Sequence, residues 1–476
     1  MQIQITDRIK SDEHFVLLLP GTAMLPQSPL TPQEQEYIKE HYVKEKKEYF
    51  FFNRLQQMVH VQFCNHEVSP KELERMRKAG DEIANALVKE QKSSLVIMPV
   101  QVKKELVLAM AEGMGLGTYQ FQKHKNTDSQ KKGIERVKIA SGVIDKVEAI
   151  ALQNLMNATF AARDLVNEPG NVMHASAFAA QMEKLALRAG MEVKVYNKKE
   201  IEDLKMEALL AVNRGSKGEP TFTRLEWKPL NAQNEKPIIL VGKGLVFDTG
   251  GINLKPTPGL ETMKSDMAGG AAVFGAIYAL AMNKIPLHVI ALVPATDNRP
   301  GEQAMLPGDI IRMKNGKTIE VINTDAEGRL ILADALLYAG EADPALVIDV
   351  ATLTGSAQMA FGKYAMAGMH QDAETAFGKL MQTGFKVYER IAEMPFWEEY
   401  GEEMISDIAD LRNIGKGKGG GAITAGKFLA HFVSYPWIHL DIAGVAFAES
   451  RDSYRGAGAT GVGVRLLYEF LREQVS

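Results

Sequence analysis

The chain has 476 residues, 46% apolar and 24% charged, with one cysteine and a net charge of −4. That length suits two or three domains of a globular protein, and the lone Cys64 excludes an internal disulfide and any cysteine-built zinc site while fitting a reducing compartment. Residues 1–165 hold 23 Lys and Arg against 21 Asp and Glu, so neither part of the chain has the basic excess of a dedicated nucleic-acid binder.

The first residues, MQIQITDRIKSDE, mix both charges and lack an apolar core, which predicts no signal peptide and a cytoplasmic location. Short β-like runs follow at His14–Leu19, Val59–Phe63 and Leu95–Met98. Between them Leu73, Met76, Ile83 and Leu87 recur at helical spacing and predict a helix over Pro70–Lys92. This alternation predicts a small α/β domain over residues 1–145. Lys44–Lys47, interspersed with Glu45 and followed by Glu48, reads as a solvated helix face, and 123–132 as an exposed loop. Lys146–Arg163 has a helical pattern, and residues 146–165 are expected to link the halves.

Residues 166–476 form the second predicted domain. Buried-strand patterns lie at Ile238–Val241, His288–Val293, Ala345–Val350 and Ile438–Ile442, separated by helical patterns at Gly269–Met282, Leu330–Ala339 and Ala422–Phe432. Apolar strands alternating with helices predict a largely parallel sheet covered on both faces, with its chemistry in the loops at the strands' carboxyl ends. Met267–Met282 carries no charge, but its length falls short of the roughly 20 residues a spanning helix needs. It predicts a small-residue helix packed against the sheet, and no membrane partner.

Three strand-end loops carry the candidate chemistry: Gly242–Pro256, Met263–Asp266 and Asn323–Arg329. An extended third loop would point Asp325, Glu327 and Arg329 to one side. Converging carboxylates repel and are costly to bury ionised, and divalent cations remove that cost. Oxygen ligands from Asp248, Asp266, Asp325 and Glu327 suit Zn, Mn or Mg. Taken singly, each loop has an ordinary explanation. Asp-x-Glu before a helix offsets the helix dipole, and the Gly-rich first loop, which alone would suggest phosphate binding, lacks the P-loop spacing and a Lys-Ser/Thr pair.

Together the loops point further. VGKGLVFDTGGINLKP (241–256), MKSDMAGGAAV (263–273) and NTDAEGRLILADAL (323–336) resemble the leucyl aminopeptidase family of metallopeptidases. PGDIIRMKNGKTIEV (307–321), DVATLTG (349–355), GGAITAGKFL (420–429), HLDIAG (439–444) and GATGVGVRLL (458–467) extend the resemblance over about residues 163–476. The run Asn323–Leu330 is its most specific part, and the N-terminal likeness is weaker, as at 112–125.

The resemblance implies an N-terminal macro-like α/β domain and a C-terminal α/β metallopeptidase domain with a mixed, largely parallel, helix-covered sheet. It implies hydrolysis of the N-terminal peptide bond of peptides, favouring Leu or Met, with two divalent metal ions (Zn or Mn, with Mg a third option) per subunit. One ion would take Asp248, Asp325 and Glu327, and the other Lys243, Asp248, Asp266 and Glu327. Lys243 can ligate only as a neutral amine. Lys255 would stay charged and stabilise an oxyanion, and Arg329 would hold a bicarbonate acting as base. Met263, Thr352, Leu353, Thr354, Gly355 and Ala443 would bind substrate, with Met263, Thr352, Thr354 and Ala443 around an apolar pocket. A homohexamer is implied as well. Some relatives bind DNA as architectural factors, and dipeptidase-type specificity is a further alternative.

Departures are modest: Glu168 and Gly170 stand where the family usually has Thr and Pro, and His174 reads as incidental. Gly456–Gly461 matches a dinucleotide fingerprint too close to the C-terminus for a βαβ unit, so it predicts a tight turn. No HExxH occurs among the ten histidines. His439 reads as a satisfied interior residue, and Asp441 fits either a structural or a site-supporting role.

Overall fold

Strands buried at every position need cover on both faces, and Phe15–Leu19 and Ile238–Gly242 are buried throughout. Each is central to one of two sheets in the computed structural model, which describes every residue except 8, 127–132, 141 and 476. The chain divides into two units. The first comprises Met1–Asn157, Lys386–Tyr388 and Ser450–Gly456, and the second Ala158–Phe385, Glu389–Glu449 and Ala457–Ser476. The division falls inside the helix Lys146–Asn167.

Unit 1 is built on β1 (Gln2–Thr6), β2 (Phe15–Leu19), β3 (Tyr49–Asn53), β4 (Met58–Phe63), β5 (Ser94–Pro99) and β6 (Arg136–Ala140). Their order is β1-β6-β5-β2-β4-β3, parallel except at β3/β4. Alternate residues of β2 serve opposite faces. Phe15, Leu17 and Leu19 join Ile38 of helix Pro32–Glu45, whereas Val16 and Leu18 join Met76, Ile83 and Leu87 of helix Pro70–Lys89. A Cβ on Gly80 would lie 2.2 Å from Met110 O, and one on Gly113 1.9 Å from Arg77 O, so helix Lys104–Gly117 meets its neighbour through paired glycines.

Two helix boundaries differ from the expected ones for local reasons. Helix Pro70–Lys89 stops short of Lys92 because Gln91 is left-handed (φ 56°) and Lys92 N–H reaches back to Leu87 O at 2.9 Å. Helix Pro32–Glu45 ends before Lys46, itself at φ 53°, so only Lys44 and Glu45 of the basic run are helical. Most of the expected loop at 123–132 lies outside the described residues.

Unit 2 contains β7 (Glu192–Tyr196), β8 (Thr221–Trp227), β9 (Ile238–Gly242), β10 (Gly244–Asp248), β11 (Val289–Asn298), β12 (Ile310–Arg312), β13 (Thr318–Glu320), β14 (Leu346–Ala351), β15 (Met366–Gln371), β16 (Ile391–Glu393), β17 (Leu411–Arg412) and β18 (Trp437–Asp441). The main sheet runs β16-β15-β18-β14-β9-β11-β8-β7, with β10 added to β11. Its centre, β18-β14-β9-β11-β10, is parallel and the flanks carry antiparallel pairs, giving the expected mixed, largely parallel sheet. Helices Glu207–Asn213, Gly328–Gly340 and Gly421–Ala430 share a core with Ile239, Val241 and Val347. Helix Ala268–Met282 packs with Ala175–Arg188 and Val464–Arg472.

That small-residue helix approaches the strands closely. A Cβ on Gly269 would sit 2.0 Å from Val350 O. Counted with the short helix Thr257–Leu260 and the turns before it, the segment Thr257–Met282 is 26 residues, long and apolar enough for a span by composition, yet 89% of its apolar window is buried inside the protein. The continuous helix itself is Ala268–Met282, so both its extent and its packed position agree with expectation. Gly456, Gly458 and Gly461 take φ of 77°, 79° and 71°, as a tight turn requires.

Candidate active site

Five strands of the main sheet deliver the candidate residues at or just beyond their carboxyl ends. Lys243 follows β9, Asp248 and Asn298 end β10 and β11, Thr352 follows β14, and Asp441 ends β18. The third loop is not extended as the alternation argument supposed. Ala326 N–H closes a turn on Asn323 O at 3.2 Å, and Glu327 is already helical (φ −83°, ψ −32°) ahead of helix Gly328–Gly340. Asp325 and Glu327 converge through that turn, whereas Arg329 leaves along the first helical turn, where its Nη1 donates to Asn413 O at 2.8 Å.

Asp248, Asp325 and Glu327 each offer an oxygen within 4.8 Å of the others. Lys243 Nζ lies 2.8 Å from Asp266 Oδ1, 3.4 Å from Glu327 Oε1 and 3.0 Å from Thr352 O. Gly328 makes room for it, because a Cβ there would meet Lys243 Nζ at 2.7 Å. Lys255 Nζ sits 2.7 Å from Asp248 Oδ2 and 2.5 Å from Asp325 Oδ1. Asp266 joins through Lys243 and through Thr352 Oγ1, which donates to its Oδ1 at 2.7 Å. Its other oxygen, Oδ2, is buried with no hydrogen-bond partner among the described residues.

The electrostatics follow from that crowding. Burial, reinforced by Asp248, pushes Glu327 up to about 8, and burial pushes Asp266 up to about 6. Burial also raises Asp325. Burial alone would lower both lysines. The carboxylates of Asp266, Glu327 and Asp248 outweigh it at Lys243, and those of Asp248 and Glu327 at Lys255, so both are held above the ordinary lysine range. Four carboxylates thus face two ammonium groups, with the Arg329 guanidinium behind Glu327; Asp248, Asp266, Glu327 and Lys243 are buried, whereas Asp325 and Lys255 are part-exposed. With only these charges present Lys243 is firmly protonated, and a neutral amine there requires additional positive charge.

The expected substrate residues fall on two adjoining loops tied by one buried carboxylate. Asp441 accepts from Leu353 N–H (3.1 Å), Thr354 Oγ1 (2.7 Å) and Ala443 N–H (3.1 Å). Gly355 opens helix Gly355–Phe361, and Met263 lies half-buried in the turn before Asp266. Asp441 therefore ties together the two loops that carry the expected substrate residues. His439 is fully buried with Nδ1 2.6 Å from Asp349 Oδ1, and Trp437 Nε1 donates to Asp349 Oδ2 at 2.6 Å. Burial would lower the imidazole, but Asp349 outweighs it and holds His439 above its ordinary value. The expectation of a satisfied histidine is half met, since its Nε2 has no partner among the described residues.

Sequence reasoning missed the asparagines that brace the loops. Asn253 Oδ1 accepts from Thr324 N–H at 2.9 Å. Asn413, fully buried, accepts from Ile322 N–H (2.7 Å) and donates to Asn323 O (2.7 Å), while its backbone carbonyl takes Arg329. Asn298 touches Asp248 and Glu327 directly. Position in the carboxyl-end loops was the available signal for Asn253 and Asn298. Asn413, after β17 of the small β12-β13-β17 sheet, carried none.

The sequence profile of the cytosol aminopeptidase family, catalytic domain, matches residues 160–468, nearly the whole of unit 2. The chain belongs to that family. A probable cytosol aminopeptidase of Geotalea uraniireducens (strain Rf4) is 43% identical over 409 residues, spanning 84% of this chain and 82% of that protein. One from Chlorobaculum parvum (strain DSM 263 / NCIMB 8327) is 45% identical over 385 residues, 77% and 75% of the two chains. Among solved structures, the bottromycin maturation enzyme BotP in complex with Mn superposes with a TM-score of 0.84 at 28% identity, covering 98% of this chain and 100% of that one. This family member is an aminopeptidase, a hydrolase of N-terminal peptide bonds, and its two α/β units match the expected fold class.

Proposed function

We propose that this aminopeptidase works with two divalent metal ions held by the acidic cluster. The observation that carries the reading is the charge imbalance at the site. Asp248, Asp266, Asp325 and Glu327 converge while burial raises three of them, and Asp266 Oδ2 is left buried and unpartnered among the described residues. Asp248, Asp325 and Glu327 would hold one ion, and Lys243, Asp248, Asp266 and Glu327 the other. All-oxygen donors with one amine fit Mn, Zn or Mg. The complex of BotP with Mn supports a divalent ion. Such ions would activate water and polarise the scissile carbonyl.

The remaining roles belong to the chain. Lys255, at the rim of the cluster with an 18% exposed side chain, would face the developing oxyanion. Arg329, buried with an Nε that has no partner among the described residues and lowered to about 10 by burial, would anchor a bicarbonate that takes the proton from water. Met263, Thr352, Thr354 and Ala443 would frame an apolar pocket favouring Leu or Met, and the backbone of Leu353 and Gly355 would hold the peptide. Family membership supports a cytoplasmic homohexamer; within each chain, domains at 1–145 and 166–476 would be joined by residues 146–165. The test is leucine-amide hydrolysis after dialysis against chelator, with Mn, Zn and Mg restored separately. Activity should vanish and return. A folded protein inactive with every metal, or fully active without any, would end the reading.

A further inference from the structure

Asn298 lies outside every residue set that the family resemblance assigns, yet it touches the two carboxylates proposed to be shared between the ions. Its Nδ2 lies 2.9 Å from Asp248 Oδ1, 3.0 Å from Thr324 O and 3.4 Å from Glu327 Oε2. Three acceptors around one atom identify that atom as the amide nitrogen. Asn298 is 3% exposed, and its backbone carbonyl takes both Thr249 N–H (3.0 Å) and Thr249 Oγ1 (2.7 Å). The residue is therefore anchored through its backbone as well as its side chain.

Its position is set by a β-bulge. In the parallel β10/β11 ladder, Leu245 pairs with Thr296 and Phe247 with Asp297, so Val246 is an extra residue and Asp248 falls opposite Asn298. Without the bulge Asp248 would face residue 299, an arginine. The contacts also sort the oxygens. Asp248 Oδ1 is taken by Asn298 and by Gly250 N–H (2.8 Å), leaving Oδ2 toward Lys255. Glu327 Oε2 is taken by Asn298, leaving Oε1 toward Lys243.

We propose that Asn298 is a positioning residue that aims one oxygen each of Asp248 and Glu327 into the two-ion site and so sets its paired occupancy. The inference rests on the two-metal reading above. Its test is Mn titration of the full-length protein by calorimetry, with electron paramagnetic resonance to report whether two bound ions are close enough to couple. Wild type should bind two Mn and give the coupled signal. Asn298→Ala should weaken the second ion at least about ten-fold and replace the coupled signal with that of isolated Mn. Asn298→Ser, which restores one hydroxyl donor, should recover part of both, and it carries the test if the alanine variant does not fold. Steady-state rates on leucine amide should fall in kcat with KM little changed. Two tight, coupled Mn in the folded alanine variant, or wild-type Mn affinity and coupling in the serine variant where alanine does not fold, would overturn the role of Asn298. Failure of the wild type to bind two Mn would instead overturn the two-metal reading itself.

Discussion

Unit 1 and unit 2 each bury a cluster of charges, and the two are balanced differently. In unit 1, Arg77 Nε meets Glu112 at 2.5 Å, Arg455 Nη2 meets Glu74 at 3.1 Å, and Tyr454 Oη donates to Glu74 at 2.7 Å. Each of these two carboxylates thus has a guanidinium partner, and Lys78 lies 3.9 Å from Glu74 as well. In unit 2, four carboxylates face two ammonium groups, and Glu327 and Asp266 are driven up to about 8 and 6. Matched buried charges hold a structure in place. A surplus of one sign creates a demand for something that the chain itself does not supply, and a divalent cation answers it.

The most damaging single change should be Glu327→Gln. It removes one of the two carboxylates proposed to be shared between the ions and should lower kcat on leucine amide by roughly three orders of magnitude, about 4 kcal/mol, with fewer metal ions retained. A variant with normal metal content and turnover would erase the distinction between the clusters. In unit 1 the corresponding change, Glu112→Gln, leaves Arg77 with only the longer 3.8 Å carboxylate contact to Glu74 among the described residues and should lower the unfolding free energy measured in urea by about 3 kcal/mol. Turnover of the folded fraction should be untouched, and a matching loss of kcat would show that the two clusters are not independent. Lys255→Ala should reduce kcat about a hundred-fold while leaving metal stoichiometry at the wild-type value. Loss of both metals from that variant would reassign Lys255 to the binding of the ions.

The smallest effect concerns pH in the metal-free protein. Burial, with Asp248 nearby, raises Glu327 from 4.5 to about 8, and burial raises Asp266 from 3.8 to about 6. The folded protein then keeps protons that the unfolded chain has released. The stability from these groups is full below about pH 4 and is lost as pH rises toward 8. Unfolding midpoints with chelator should fall from pH 5 to pH 8, and Mn should abolish or reverse that slope. A metal-free slope of the opposite sign would contradict the surplus of buried carboxylates.

Much of this organisation was legible from residue order. Continuous apolar runs located β9, β14 and β18, and the small residues before Met282 announced a tightly packed helix. Edge strands such as β1, β3 and β7 escaped because partly exposed residues blur the apolar pattern. The acidic loops could be read because several carboxylates share strand-end positions and because their motifs together resemble those of the leucyl aminopeptidase family; singly, each would have passed as ordinary. Their convergence, however, depends on the turn at Asn323–Ala326 and on the bulge at Val246, neither of which leaves a periodic trace. Asn298 and Asn413 were missed for a related reason. An amide that braces a loop carries no charge imbalance and no motif spacing to mark it.

The central claim is that the surplus carboxylates of unit 2 are a seat for two ions, and counting those ions tests it most directly. Native mass spectrometry of protein reconstituted with Mn should find two ions per chain, and none after chelation, with leucine-amide hydrolysis tracking the doubly loaded species. A chain that binds no more than one Mn at any concentration, or that hydrolyses leucine amide at full rate with none, would contradict the account.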